Sequence, residues 1–83
     1  MDTIRCWLVE REYTDKGLVT LVYATTGGDR KLVEQRAANR LRDVTAARDV
    51  EPDRLEPTED DERERYASEA QRMADRHDPD ETV

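Results

Sequence analysis

The chain has no phenylalanine, one isoleucine, one tryptophan, one cysteine and only two lysines among its 83 residues. Each shortage excludes something. A single cysteine rules out an intrachain disulfide, and Cys6 lacks the spacing of a metal ligand set, so the natural setting is reducing and cytoplasmic. No apolar run approaches the roughly 18 residues that a spanning helix needs, and no signal-peptide pattern opens the chain, so neither a membrane span nor a secretory route is expected. Eighty-three residues make one domain at most, and glycine and proline number only three each. A chain this short buries only about 60–65% of its unfolded surface, and its stability is marginal unless a partner adds to it.

Charge is what the chain has in abundance. Asp and Glu total 21 against 14 cations, a net charge of −7, and 12 of those cations are Arg. Thermal adaptation enriches Lys together with Glu; here Lys is nearly gone. Excess carboxylate without lysine suits molar salt, where carboxylates hold water and cations and repulsion is screened within about 3 Å. An acidic surface of this kind is a solubility device and says little about partners. Molar salt also removes most counterion-release affinity, so a nucleic-acid binder there needs stacking and base contacts.

The large residues are concentrated in residues 3–25. A strand is expected over about 3–13, rich in β-branched and aromatic residues, and a second over 18–25. Thr14-Asp15-Lys16-Gly17 between them fits a hairpin turn with glycine at the left-handed position. In the register this turn implies, Tyr13 lies opposite Val19, Arg11 opposite Leu21, Val9 opposite Tyr23 and Trp7 opposite Thr25. One face then carries Arg5, Trp7, Val9, Arg11, Tyr13, Val19, Leu21 and Tyr23. The other carries Ile4, Cys6, Leu8, Glu10, Glu12, Leu18, Thr20, Val22 and Ala24. Both faces are substantially apolar, where a hairpin with water on one side should alternate.

Helices are expected to follow. Asp29 after Gly27-Gly28 reads as an N-cap, and Val33, Ala37, Leu41, Val44 and Ala47 form one stripe of a helix over about 30–48. Residues 49–58 read as a turn-rich connection. Pro57-Thr58 before three acids reads as the start of a second helix over about 59–77, with Thr58 as its cap and Tyr66, Ala70, Met73 and His77 on one face. The expected fold class is therefore α+β, a β-hairpin followed by two helices (ββαα), in one domain over 1–77 with a disordered tail over 78–83.

Four groups of residues invite a chemical reading. Gly27-Gly28-Asp29 could admit a phosphate to a helix N-terminus, but Asp29 would repel it, and an ordinary strand exit is favoured. His77 with Asp75, Asp78 and Asp80 could hold a cation weakly, but the cluster lacks the spacing of a known site and reads as a solvated helix end. Cys6 could act as a nucleophile only beside a base; it reads as a small buried hydrophobe. Glu10 and Glu12 are one of many acid pairs expected by chance. The sharpest group is Trp7, Tyr13 and Tyr23 with Arg5 and Arg11, because aromatics flanked by arginines on one sheet face can stack bases and hold phosphates. The same residues also make a core or an interface, and that reading is favoured.

The acidic composition and the strand Cys-Trp-Leu-Val-Glu-Arg-Glu-Tyr, residues 6–13, resemble the short, uncharacterised acidic proteins of haloarchaeal genomes. That resemblance implies no site residues. No catalytic residue, cofactor or metal is expected, and the chain reads as a non-enzymatic interaction protein. It is expected to form a homodimer through its hairpin, edge to edge as a four-stranded sheet or face to face, and to dock an unidentified protein partner. The alternative is a nucleic-acid-binding regulator that uses the aromatic and arginine side of the hairpin.

Overall fold

The computed structural model describes residues 2–14, 16–41 and 43–83. It is mostly sheet. Strands β1 (Ile4–Tyr13), β2 (Leu18–Ala24), β3 (Arg30–Ala37) and β4 (Ala47–Val50) are followed by a 3₁₀ turn (Pro52–Arg54), a two-residue strand β5 (Glu56–Pro57) and one helix, α1 (Asp60–Arg76). All pairings are antiparallel, in the order β4-β1-β2-β3-β5. This overturns the expected ββαα arrangement, because residues 30–48 supply two strands and a crossing loop in place of a first helix.

Local propensity explains the difference. Lys31, Leu32, Glu34, Gln35, Arg36 and Ala37 all favour helix in isolation, by a few tenths of a kcal/mol each. A hairpin whose second strand lacks a neighbour offers more, since one turn lays this segment against it. Gly27-Gly28-Asp29 makes that turn. The Gly28 amide donates to the Thr25 carbonyl (2.8 Å), and the Thr25 hydroxyl donates to Asp29 Oδ1 (2.8 Å). Gly28 has φ +73°, and a Cβ there would stand 2.2 Å from the Arg63 carbonyl oxygen and 2.7 Å from the Ala67 nitrogen. Positive φ and close approach of α1 both require glycine at this position.

The hairpin keeps its expected register at the turn end, Tyr13 with Val19 and Arg11 with Leu21, and loses it midway. A β-bulge between Leu8 and Glu10 brings Leu8 opposite Tyr23 and Trp7 opposite Ala24. One extra residue flips every side chain beyond it. Trp7 and Val9 therefore pack with Ala46, Ala47, Val22, Ala24, Tyr66 and Ala70 beneath α1. Cys6, Leu8, Val19, Leu21, Tyr23 and Leu32 form the core of the opposite face.

That opposite face is closed without a second helix. The chain from β3 to β4 crosses it and packs Leu41 and Val44 on the cluster; the return toward β5 adds Leu55. Two loop crossings thus cover this face, while α1 covers the other. Helix α1 starts one residue later than expected. Its N-cap is Glu59 with no side-chain capping bond, while Thr58 instead donates its backbone N–H to Asp29 (3.0 Å). Residues 78–83, expected as a disordered tail, return to the sheet. Ala46 donates to the Glu81 carbonyl, Ala47 to that of Pro79, and Val83 to that of Val44.

Candidate interaction surface at the open sheet edge

The five residues expected to share one hairpin face do not come together. Trp7 is 7% exposed beneath α1, and Tyr23 is fully buried on the other face. Arg5 lies at the β4 side, where its Nε donates to Asp49 Oδ1 (3.0 Å). The mutual hydrogen bond holds the Asp49 carboxyl below its usual range. Arg11 donates to the Val83 carbonyl (3.2 Å). Tyr13 alone among the aromatics is exposed, at 61%. A stacking platform needs accessible rings on one side, and the bulge has removed that condition.

The remaining candidates are structural. Cys6 is buried, and burial pushes its thiol up, away from the thiolate a nucleophile needs. His77 Nδ1 contacts the Glu81 carboxylate, which ties the helix end to the returning tail and holds Glu81 below its ordinary range. Among the described residues no group of three or more His, Cys, Asp or Glu could hold a metal.

Sequence reasoning missed β3. Its ladder to β2 runs from the Thr25 amide on the Arg30 carbonyl to the Ala38 amide on the Gly17 carbonyl. Antiparallel alternation then turns the N–H and C=O groups of Leu32, Glu34 and Arg36 toward β2, and those of Lys31, Val33, Gln35 and Ala37 outward. Lys31 meets β5 opposite Glu56. Val33, Gln35 and Ala37 have no neighbouring strand among the described residues, although the Ala37 carbonyl accepts from the Arg40 amide (2.9 Å). On the hairpin, β3 flanks β2 along its length, whereas β4 flanks β1 only over Ile4–Trp7, with Leu8 bonded to Ala46. Arg11 and Tyr13 thus also turn backbone groups outward with no neighbouring strand among the described residues. The expected edge-to-edge contact between hairpins is thereby confined to that short stretch of β1.

The side chains along this edge are unusual for the molecule. Val33 is 44% exposed, one of two exposed large hydrophobic residues among the described residues. Glu34 is gripped from two sides: Arg48 reaches it from β4, and Arg36 Nε donates to its Oε1 at 3.2 Å. The Arg48 guanidinium lies over the Tyr23 ring, 5.5 Å from its centre, a stacked placement that suits arginine. An ion pair from β4 to β3 spans two intervening strands, so the twisted sheet must curl toward this face. Burial raises the Glu34 carboxyl, but hydrogen bonds and charge from Arg48 and then Arg36 more than reverse it, leaving the group below its usual range. Beyond Ala37 an open depression of about 730 Å³ is lined by Gln35, Arg36, Ala37, Asn39, Arg40 and Asp43.

One sequence signal could have found this surface. Residues 30–48 hold six cations and two acids, net +4, in a chain of net −7. Charge asymmetry of that size marks a surface distinct from the rest.

Compared with known proteins, a model for a family of unknown function, DUF7967, matches residues 1–83. The chain belongs to that family. No curated protein matches, and no solved structure does. No helix of the described residues is long and apolar enough to cross a membrane.

Proposed function

We propose that this protein is a small non-enzymatic interaction protein that works by accepting a partner strand along the open edge of β3. The observation that supports this reading is the row of outward backbone groups at Val33, Gln35 and Ala37, set beside an exposed valine and a basic rim. Strand addition gives affinity through main-chain hydrogen bonds and specificity through the flanking side chains. Cys6 is buried and its thiol is pushed toward its neutral form, so it offers no nucleophile beside this surface. The acidic composition, with arginine in place of lysine, supports a haloarchaeal cytoplasm as the setting, and the fold should lose helix and sheet signal in circular dichroism as KCl is withdrawn.

For the competing reading, a nucleic-acid-binding regulator built on Arg5, Trp7, Arg11, Tyr13 and Tyr23, Trp7 and Tyr23 lie in the cores and Tyr13 is the one ring of the group left exposed. What remains for a polyanion is the rim of Arg36 and Arg40, whose affinity would collapse at high salt. Amide hydrogen exchange decides the main proposal. In a lysate kept at molar KCl, the amides of Val33, Gln35 and Ala37 should slow when a partner binds, and Gln35→Pro should abolish capture of that partner. Edge amides that stay unprotected in lysate and at high protein concentration alike would sink it.

A further inference from the structure

The open edge is complementary to itself. We infer that its occupant is a second copy of this chain, paired antiparallel across a two-fold axis at Gln35; this rests on the strand-addition reading above and names its partner.

The register follows from the backbone. Outward groups belong to odd-numbered residues, so an isologous pair must match odd with odd, and the choice is where the axis falls. An axis at Val33 sets Lys31 against the partner's Gln35, although Lys31 is already occupied by β5. An axis at Gln35 uses only the stretch with no neighbouring strand among the described residues, the Ala37 carbonyl keeping its bond from Arg40 and accepting the partner on its second lone pair. Val33 then exchanges hydrogen bonds with the partner's Ala37, Gln35 with the partner's Gln35, and Ala37 with the partner's Val33. The free edge is also the right length, because β5 closes one end at Lys31 and the chain turns away at Ala38–Asn39.

Charge selects the same register. Between the bonded pairs lie the close, non-bonded positions, and these set Glu34 against the partner's Arg36 and Arg36 against the partner's Glu34. Moving the axis half a step would put Glu34 opposite itself. The exposed Val33 meets the small Ala37 of the partner on the other side of the sheet. Beyond the paired stretch, each copy's β5 arrives beside the other's Ala38–Arg40 turn, which brings Glu56 toward the partner's Arg40. The depression lined by Gln35, Arg40 and Asp43 lies where that end of the partner would sit. Two curled five-stranded sheets become one continuous ten-stranded sheet, and the exposed edge disappears from both.

Light scattering after size exclusion, at the lowest KCl that retains the fold, tests this. Wild type should move from 9.7 kDa to twice that mass as concentration rises from micromolar toward millimolar. Gln35→Pro, which removes the axial donor, and Val33→Lys should remain monomeric with unchanged circular dichroism. Arg36→Glu sets Glu34 against glutamate twice over and should weaken the dimer about tenfold or more; Glu34→Arg should do the same with arginines. Mixed together, these two variants restore opposite charges at both positions and should form a heterodimer that neither forms alone. Wild type that remains monomeric at millimolar concentration overturns the inference, and so does a dimer that tolerates Gln35→Pro and Arg36→Glu. If Glu34→Arg fails to fold because it meets Arg48, the proline and lysine variants still decide. A monomeric protein whose lysate partner is lost on Gln35→Pro refutes the self-pairing and leaves the strand-addition reading standing; if that variant loses nothing, both fall.

Discussion

The two edges of the sheet are finished in opposite ways. At the β4 edge the last residues of the chain come back and take up the outward backbone groups around Val44–Ala47, while Val83 packs against both core clusters. At the β3 edge a two-residue strand covers Lys31 and stops, and the next outward positions have no described neighbour. A protein of 83 residues can spare little chain for edge protection. The contrast teaches that the open edge is a place where something is missing from the single chain, whereas the closed edge belongs to its folding.

If that division is right, damage at the closed edge should be costly. Removing residues 79–83 deletes the three backbone hydrogen bonds to residues 44–47 and the Val83 contacts. At about 1 kcal/mol per bond, plus partial burial of one aliphatic side chain, the loss should be about 3–5 kcal/mol in urea unfolding at molar KCl. A loss below about 1 kcal/mol would place the tail outside the fold. Ala47→Pro is the narrower form of the same test. It removes the donor to Pro79 and forces a ring into a site 6% exposed between Trp7 and Ala70, and about 2–3 kcal/mol should follow.

The ion pair that joins the two edges should give an intermediate effect. Glu34→Gln keeps the shape and removes the charge that Arg48 and Arg36 share. With side chains about 26–27% exposed, the cost should be about 1–2 kcal/mol near neutral pH. The sign with pH is fixed. The folded-state pKa of Glu34 lies below its ordinary 4.5, so its contribution is present above that pH and is lost as pH falls through the folded-state value. Stability curves of wild type and Glu34→Gln should converge on acidification below about pH 4.5; parallel curves would remove Glu34 from the network. Tyr66 supplies the alkaline counterpart. Burial, then hydrogen bonding toward Glu62 and the charge of Glu10, push its hydroxyl up to about 12. Its contribution is therefore intact below about pH 10 and fades as pH rises through about 12.

These contrasts also show what the sequence could and could not reveal. The hairpin was legible because β-branched and aromatic residues crowd between Thr3 and Thr25 around a Lys16-Gly17 turn, and α1 was legible because acids precede a stripe through Tyr66 and Ala70. The bulge at Val9 was not legible, since Val9 itself fits either face of a strand; that one residue dispersed the aromatic group of Trp7 and Tyr23. Strand β3 was hidden by helix-forming residues, whose small preferences lose to a ladder with β2. Yet both apolar hairpin faces, read correctly, already required more cover than two thin helices could supply. The crossing loop with Leu41 and Val44 is what supplies it, and no local pattern announces a loop that packs.

The smallest effect is the most discriminating. Gln35→Pro makes the same change as Ala47→Pro, a lost outward N–H on a strand bordering the sheet, where proline is tolerated. Because that N–H has no described partner in the single chain, the intrinsic cost should stay under about 1 kcal/mol. Its larger consequence should appear only through mass action. A native state that pairs gains stability as protein concentration rises, in the manner of any ligand bound to the folded form alone. The melting temperature of wild type should accordingly climb with concentration, that of Gln35→Pro should not, and the two should meet at high dilution. A proline that destabilises equally at every concentration would mean that Gln35 is occupied within the chain, and the two edges would no longer differ.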